Sequence, residues 1–207
     1  MRAPLPETGL RFALTLAALL ALDHLYGLRL IDAILPALRA EMEWIDGSYD
    51  ILGLGIAAHG GDSIIRVDAR LMHYVWIGPT MLAPNAGIRL MASTVTGTVF
   101  RPTIIACALM SAWPARHARE WPLRFLIGLP LLFLLFPLDV PLMLLGGLHE
   151  TLAFLAHESG DRSALMAWRG FLQGGGAIAL SLLASVCAIA MARRCGPGGE
   201  RADFHGP

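Results

Sequence analysis

Four ionisable residues of this chain stand in apolar surroundings, where their chemistry costs most and can do most. Asp139 sits between Pro137 and Pro141 in "LLFPLDVPLML", Asp23-His24 closes the run "ALTLAALLAL", and Arg101 follows Phe100 in "VTGTVFRPTII". A carboxylate, an imidazole and a guanidinium in such places could move a proton, hold an ionic ligand or pair with one another. Each typically costs a few kcal/mol at the centre of a bilayer, so such groups mark either function or mutual satisfaction.

The other motifs point to packing or solvation. "HETLAFLAHE" places His149-Glu150 and His157-Glu158 eight residues apart, about 12 Å along a helix. A zinc helix needs its histidines one turn apart, so no metal site is expected. Cys107 in "PTIIACALM" and Cys187 behave as small apolar residues, since a thiol in hydrocarbon stays protonated. In "GFLQGGGAIALSLLAS", the residues Gly170, Gly174, Ala177, Ser181 and Ser185 form a small-residue stripe suited to close helix contact. A phosphate loop would need a following lysine and a preceding strand, and neither is present. Asp68 between Arg66 and Arg70 shares one strand face with them and solvates it. No complete catalytic set and no cofactor site emerge.

The elements that must position these residues are membrane helices. Of 207 residues, 56% are hydrophobic and 15% charged, with a mean hydropathy of +0.59. A soluble domain of this length carries more charge and fewer long apolar runs. Sixteen basic residues, all arginine, balance sixteen acidic ones, which excludes the concentrated basic face of a nucleic-acid binder. Four windows approach the roughly 20 apolar residues of a span: 11–30, 97–113, 123–148 and 170–192. Arg2 and Arg11 precede the first; Arg116, Arg119 and Arg124 crowd the link between the second and third; Arg193, Arg194 and Arg201 follow the fourth. Arginines retained on the cytoplasmic side put both termini in the cytoplasm of a bacterial-type inner membrane. Trp113-Pro114 and Trp121-Pro122 bracket the cytoplasmic loop 114–122, and Trp168 marks the opposite entrance to span four.

With that threading, Asp139 lies about 5 Å past the midpoint of span three, and Arg101 some 7 Å before that of span two. Asp23 and His24 fall at a similar depth, so an Arg101–Asp139 ion pair completed by Asp23 or His24 is expected. The three prolines Pro130, Pro137 and Pro141 should kink or locally unwind span three.

Outside the membrane, residues 31–96 predict a small α+β module. "DAILPALRAEMEWIDGS" spaces Leu35, Leu38, Met42 and Ile45 as an amphipathic helix lying on the outer membrane surface, with Trp44 near the headgroups. "ILGLGIAA", the turn His59-Gly60-Gly61-Asp62 and the alternation from Ile65 to Leu71 predict a hairpin. "MHYVWI" extends its second strand, "GPTMLAPNAG" turns, and "IRLMASTVT" makes a third strand. A β unit of about 45 residues without disulfides is marginal alone, so it should lean on the bilayer, the spans or a partner.

The expected fold is therefore integral to the membrane and mainly α: a four-span helical bundle with a small extracytoplasmic α+β module between spans one and two. Residues 1–30 form the N-terminus and first span, 31–96 the module, and 97–192 spans two to four with an outer loop at 149–169. Residues 193–207 form a disordered cytoplasmic tail. The expected function is non-enzymatic: a subunit or accessory protein of an envelope complex, binding a membrane or periplasmic protein or a second copy of itself. A membrane-embedded enzyme using Asp139, Arg101 and His24 is the alternative, and a small transporter with a proline-broken span the third.

Overall fold

The computed structural model describes residues 5–84, 88–115, 117–157 and 163–195. It is mostly helical, with a small sheet module between the first helix and the rest. Three helical stretches are long and apolar enough to cross a membrane, Glu7–Ile45, Glu120–Leu155 and Ala164–Cys195, so the chain is a membrane-embedded protein. The tail expected to be disordered lies, from residue 196 on, outside the described residues, as do Arg2, Arg116, Glu158 and Arg201.

The first helix, α1 (Leu5–Ile45), joins the expected span and the expected surface helix without a break, carrying Pro36 in its interior. The apolar face of its C-terminal part is covered by this chain's own core. Ile31, Leu38 and Met42 are fully buried, and Ile34, Leu35 and Ile45 pack beside them. These six positions follow the i, i+3, i+4, i+7 spacing of one helix face. That face is turned inward because a sheet of this chain offers it more apolar surface than headgroups could. Trp44, on another face, is exposed.

The sheet that meets it has the order β1-β2-β5, all antiparallel: β1 (Tyr49–His59), β2 (Asp62–Leu71) and β5 (Leu90–Val95). Gly60 and Gly61, both with positive φ, close the β1–β2 hairpin as a two-residue turn, with His59 opposite Asp62. Along β2, Ile65, Val67, Ala69 and Leu71 are buried while Arg66 and Arg70 are exposed, the period of two that a half-buried strand requires. The polar face is neutralised locally. Arg66 pairs with Asp68 at 3.0 Å, and Arg70 pairs across the ladder with Asp50 at 2.7 Å. Arg39 of α1 donates to the Ile51 carbonyl on β1 at 2.8 Å, next to a bulge at Leu52. Burial, reinforced by Asp46, pushes the Tyr49 phenol above its ordinary range, so it stays neutral at the sheet's edge.

"MHYVWI" does not extend β2. Val75–Ile77 (β3) and Thr80–Leu82 (β4) form a separate two-stranded hairpin. Ile77 is buried in the same core, with Val75 and Leu82 against it.

After β5 come α2 (Thr96–Val99) and α3 (Arg101–Ala112). Twelve residues of α3 rise about 18 Å, short of a roughly 30 Å hydrocarbon core. The next helix, α4 (Glu120–Leu155), is 36 residues long and runs through Pro130, Pro137 and Pro141 without ending. The expected unwinding of this span is absent. Its later part supplies Val140, Leu144, Leu145, Leu148, Leu152 and Ala153 to the core under the sheet. The last stretch is α5 (Ala164–Phe171), a kinked segment (Leu172–Gly176) and α6 (Ala177–Cys195).

The chain divides into two compact units. One comprises the described parts of Met1–Leu22, Pro102–Leu135 and Ile178–Pro207; the other comprises Asp23–Arg101 and Phe136–Ala177. The first has its own core of Ala106, Met110, Leu132, Ala184, Ala188 and Ile189, with Cys107 packed beside it as a small apolar residue. Arg124 is fully buried there. It donates to the Trp113 carbonyl at 2.5 Å, to that of Pro114 at 3.0 Å and to Glu120 at 3.0 Å. The carbonyls that end α3 have no intrahelical donors, and this guanidinium supplies them. Arg193 reaches the Pro114 carbonyl at 3.3 Å and lies over the Trp113 ring.

Arg124→Gln removes the charge but leaves Glu120 buried and the carbonyls short of donors. It should lower stability by about 3 to 5 kcal/mol, whereas Arg119→Gln, at an exposed site, should stay within about 0.5 kcal/mol. Thermal unfolding of the two variants in one detergent checks this; equal effects would remove the structural role of Arg124.

Candidate functional site

Asp23, His24, Arg101 and Asp139 all belong to the second unit. Asp23, on α1, is half-buried and lies over Gly27, where a Cβ would come within 2.6 Å of its Oδ1. His24 is exposed. Arg101 is the first residue of α3, exposed, with its guanidinium beside Gly97. Asp139 is half-buried on α4. Among the described residues no ion pair or hydrogen bond joins any two of these four side chains. The expected Arg101–Asp139 pair is therefore absent, and the Arg101 guanidinium lies beside Gly97. No group of three or more His, Cys, Asp and Glu among the described residues is placed to hold a metal ion. His149 and Glu150 lie within α4, which extends to Leu155, and Glu150 is engaged by Arg169.

The surroundings of Asp139 hold a contact that the sequence did not announce. Trp168 of α5 donates its indole N–H to the Leu138 carbonyl at 2.8 Å. Trp168 is thus tied to α4 beside Asp139, where an interfacial anchor was expected. Two adjacent glycines let α5 come so close. A Cβ at Gly146 would sit 3.1 Å from the Leu165 carbonyl and from the Arg169 Cβ, and one at Gly147 would sit 2.8 Å from the Ala92 Cβ. Gly146-Gly147 is therefore the place where α4 receives both a helix and a strand. Thr151, one turn on, donates to the Met91 carbonyl of β5 at 3.2 Å.

The small-residue stripe of span four is split. Ser181 and Ser185 are buried, and the Ser185 hydroxyl donates to the Ser181 carbonyl at 2.8 Å. Ala177 is half-buried, while Gly170 and Gly174 are exposed with nothing within 4 Å of an added Cβ. The reason is a kink at Gly175, which takes φ +102° and interrupts the helix there. A glycine with positive φ breaks the helical ladder, and the residue count across it no longer follows one helix face. Helical spacing counted across it therefore joins two different faces. Ala184, Ala188 and Ala192 complete the buried face instead.

The β3–β4 hairpin presents the remaining unusual surface. Trp76 and Met81 are cross-strand neighbours on the face opposite Ile77. They are 66% and 50% exposed, and Met72 and Tyr74 beside them in the chain are exposed as well. None of these side chains is needed by the core.

Unpaired with Arg101, Asp139 is a half-buried carboxylate that an isosteric amide can replace. Asp139→Asn should be neutral or stabilising, and Arg101→Gln should change stability by less than about 0.5 kcal/mol. A double-mutant cycle of unfolding in detergent reads the pair directly, and coupling above about 1 kcal/mol would restore it. Comparison of the chain with protein-family models, with curated proteins and with solved structures finds no match.

Proposed function

We propose that this protein is a non-enzymatic subunit or accessory protein of a multi-component complex in a bacterial-type inner membrane. The exposed face of the β3–β4 hairpin is its docking surface. The observation that carries the reading is the pair Trp76–Met81, flanked by Met72 and Tyr74 and left uncovered by the chain's own core. Tryptophan, tyrosine and methionine are the residues that protein interfaces concentrate, and exposed aromatic anchors carry most of their binding energy. The uncovered Gly170 and Gly174 offer a second contact, for a helix of the same partner, because small residues let helix backbones approach within lipid.

The threading that goes with this reading has four spans and both termini in the cytoplasm. Helix α3, residues 101–112, would be the short second span, preceded by α2 at residues 96–99, and a span this short needs a locally thinned bilayer. Arg193 and Arg194 close α6 on the cytoplasmic side. The sheet module then stands on the outer side, with Trp76 and Met81 open to a periplasmic or membrane protein.

Both side chains are exposed, so Trp76→Ala with Met81→Ala should leave the thermal stability of the purified protein unchanged. The double variant should lose a stoichiometric partner that co-purifies in mild detergent, through an affinity loss of about 2 kcal/mol or more. A photocrosslinker at position 76 in intact membranes should join that same protein. Crosslinks to lipid alone, or a cytosolic location of position 76 by thiol labelling, would defeat the proposal.

A further inference from the structure

A groove of about 520 Å³ opens on the first unit, at the start of α4 and beside the end of α6. Pro122, Leu123 and Leu126 form its apolar wall, His117 and Arg119 its polar side, and the exposed thiol of Cys195 completes the lining. Glu120 belongs to the lining too, but it is buried and held by Arg124 at 3.0 Å. The groove's carboxylate therefore has its charge answered within the protein.

The cations are less engaged. Arg119 is exposed and makes no hydrogen bond or ion pair among the described residues. A guanidinium offers five N–H donors, and here all are open to a ligand. His117, also exposed, meets Glu120 through Nδ1 at 3.6 Å, which leaves its other ring nitrogen open. Among the described residues of 113–124 and 193–195, Arg119, Arg124, Arg193 and Arg194 are balanced by Glu120 alone. This end of the unit is net positive, and such a recess draws anions.

What continues from the apolar wall selects the kind of anion. Pro122, Leu126, Leu129, Pro130 and Phe133 share one face of α4 and are all exposed, Leu126 by 71% and Phe133 by 77%. From Pro122 to Phe133 this face rises about 17 Å, close to half of a roughly 30 Å hydrocarbon core. It precedes Phe136 and Val140, where the packing of α4 under the sheet begins. Trp113 and Trp121 stand at its groove end, as indoles do at the border of hydrocarbon and headgroups. A soluble anion would use only the polar side of the groove. A phosphate carrying an acyl chain would use the polar side and the exposed face together.

We propose that this groove holds the phosphate of an anionic phospholipid. Arg119 and His117 bind the phosphate, and an acyl chain lies along Leu126, Leu129 and Phe133. Basic pockets at the ends of membrane helices favour such headgroups. A zwitterionic lipid is disfavoured, because its ammonium would find the Glu120 carboxylate already taken by Arg124. The claim rests on the membrane placement of the helices, and it stands or falls separately from the hairpin surface and from the direction of threading.

Native mass spectrometry of the full chain, stripped of lipid in detergent, tests it with phosphatidylglycerol, phosphatidylethanolamine, glycerophosphoglycerol and inorganic phosphate. One phosphatidylglycerol should be retained about tenfold more tightly than phosphatidylethanolamine, and Arg119→Gln should weaken that retention by about fivefold, the worth of one arginine at a lipid surface. His117→Gln gives an independent reading in the same direction. Bound phosphatidylglycerol should also slow alkylation of the Cys195 thiol, followed by peptide mass in the unmodified sequence. Equal retention of the two lipids, or retention unchanged in both variants, overturns the proposal. Alkylation of Cys195 that phosphatidylglycerol does not slow places the lipid elsewhere and overturns it as well. Glycerophosphoglycerol or phosphate displacing the lipid at equal concentration would do the same, by assigning the groove to a free anion.

Discussion

A three-stranded sheet has one apolar face too many for its size, and covering that face organises half of this protein. Ile65, Val67, Ala69 and Leu71 of β2 cannot be buried by β1 and β5 alone, because neighbours in a sheet share faces and do not cover them. Two helices of the same chain do the covering: the last four turns of α1 through Ile31, Leu38 and Met42, and the later turns of α4 through Leu144, Leu145 and Leu148. A fully buried aliphatic side chain contributes roughly 1.5–3 kcal/mol. The apolar residues just named thus outweigh any individual polar contact in the module. The sheet leans on the helices, so instability of an isolated β unit gives no reason to require another protein. The docking surface must be argued from side chains the core leaves outside, and the β3–β4 hairpin is where they are.

Polar groups drawn out of water in this apolar chain follow a second rule. The most telling of them meet backbone carbonyls at a helix end or a proline-disturbed turn. Arg124 gathers the Trp113 and Pro114 carbonyls, and Trp168 finds the Leu138 carbonyl between two prolines. Carbonyls left without an N–H partner are costly away from water. Arg124 is therefore matched to carbonyls past the end of α3 as much as to the Glu120 carboxylate. Trp168 adds a donor to the Leu138 carbonyl, whose helical donor is the Leu142 N–H. The same reasoning explains why Asp139, which can only accept when ionised, is not drawn into such a contact: the vacancies nearby are acceptors too.

What could be read from the sequence was whatever repeats locally. The alternation from Ile65 to Leu71 and the His59-Gly60-Gly61-Asp62 turn state their structure in consecutive residues. The inward face of α1 was also visible as a spacing, but not its occupant, since headgroups and a sheet both accept Leu38 and Met42. The β3–β4 hairpin escaped because three residues are too few to show a period. Gly146-Gly147 escaped because glycines inside an apolar run look neutral until a neighbouring backbone is seen against them. For the candidate site, rise along a helix gave depth but not azimuth. Residues at one level on different helices need not face one another, and Arg101 and Asp139 do not bond. The small-residue stripe failed for a related reason, since the kink at Gly175 interrupts the helix midway.

Helix α1 shows how these constraints meet. At 41 residues it is about 60 Å long, twice the hydrocarbon thickness. Its last four turns are clothed by the sheet, while Leu10, Leu14, Leu20, Leu22, Leu25, Leu28 and Leu30 are exposed. Water would not tolerate such a surface, and lipid does. Arg29 lies at the end of this stretch, where a long side chain can reach the headgroups, but His24, exposed one turn deeper, has no such reach. Sliding α1 outward to wet His24 would pull Leu25, Leu28 and Leu30 from hydrocarbon at roughly 2 kcal/mol each. Leaving it in place costs the few kcal/mol of one polar group in lipid, less than the three leucines together. By this balance, burying the three leucines in lipid outweighs the cost of one imidazole beside them.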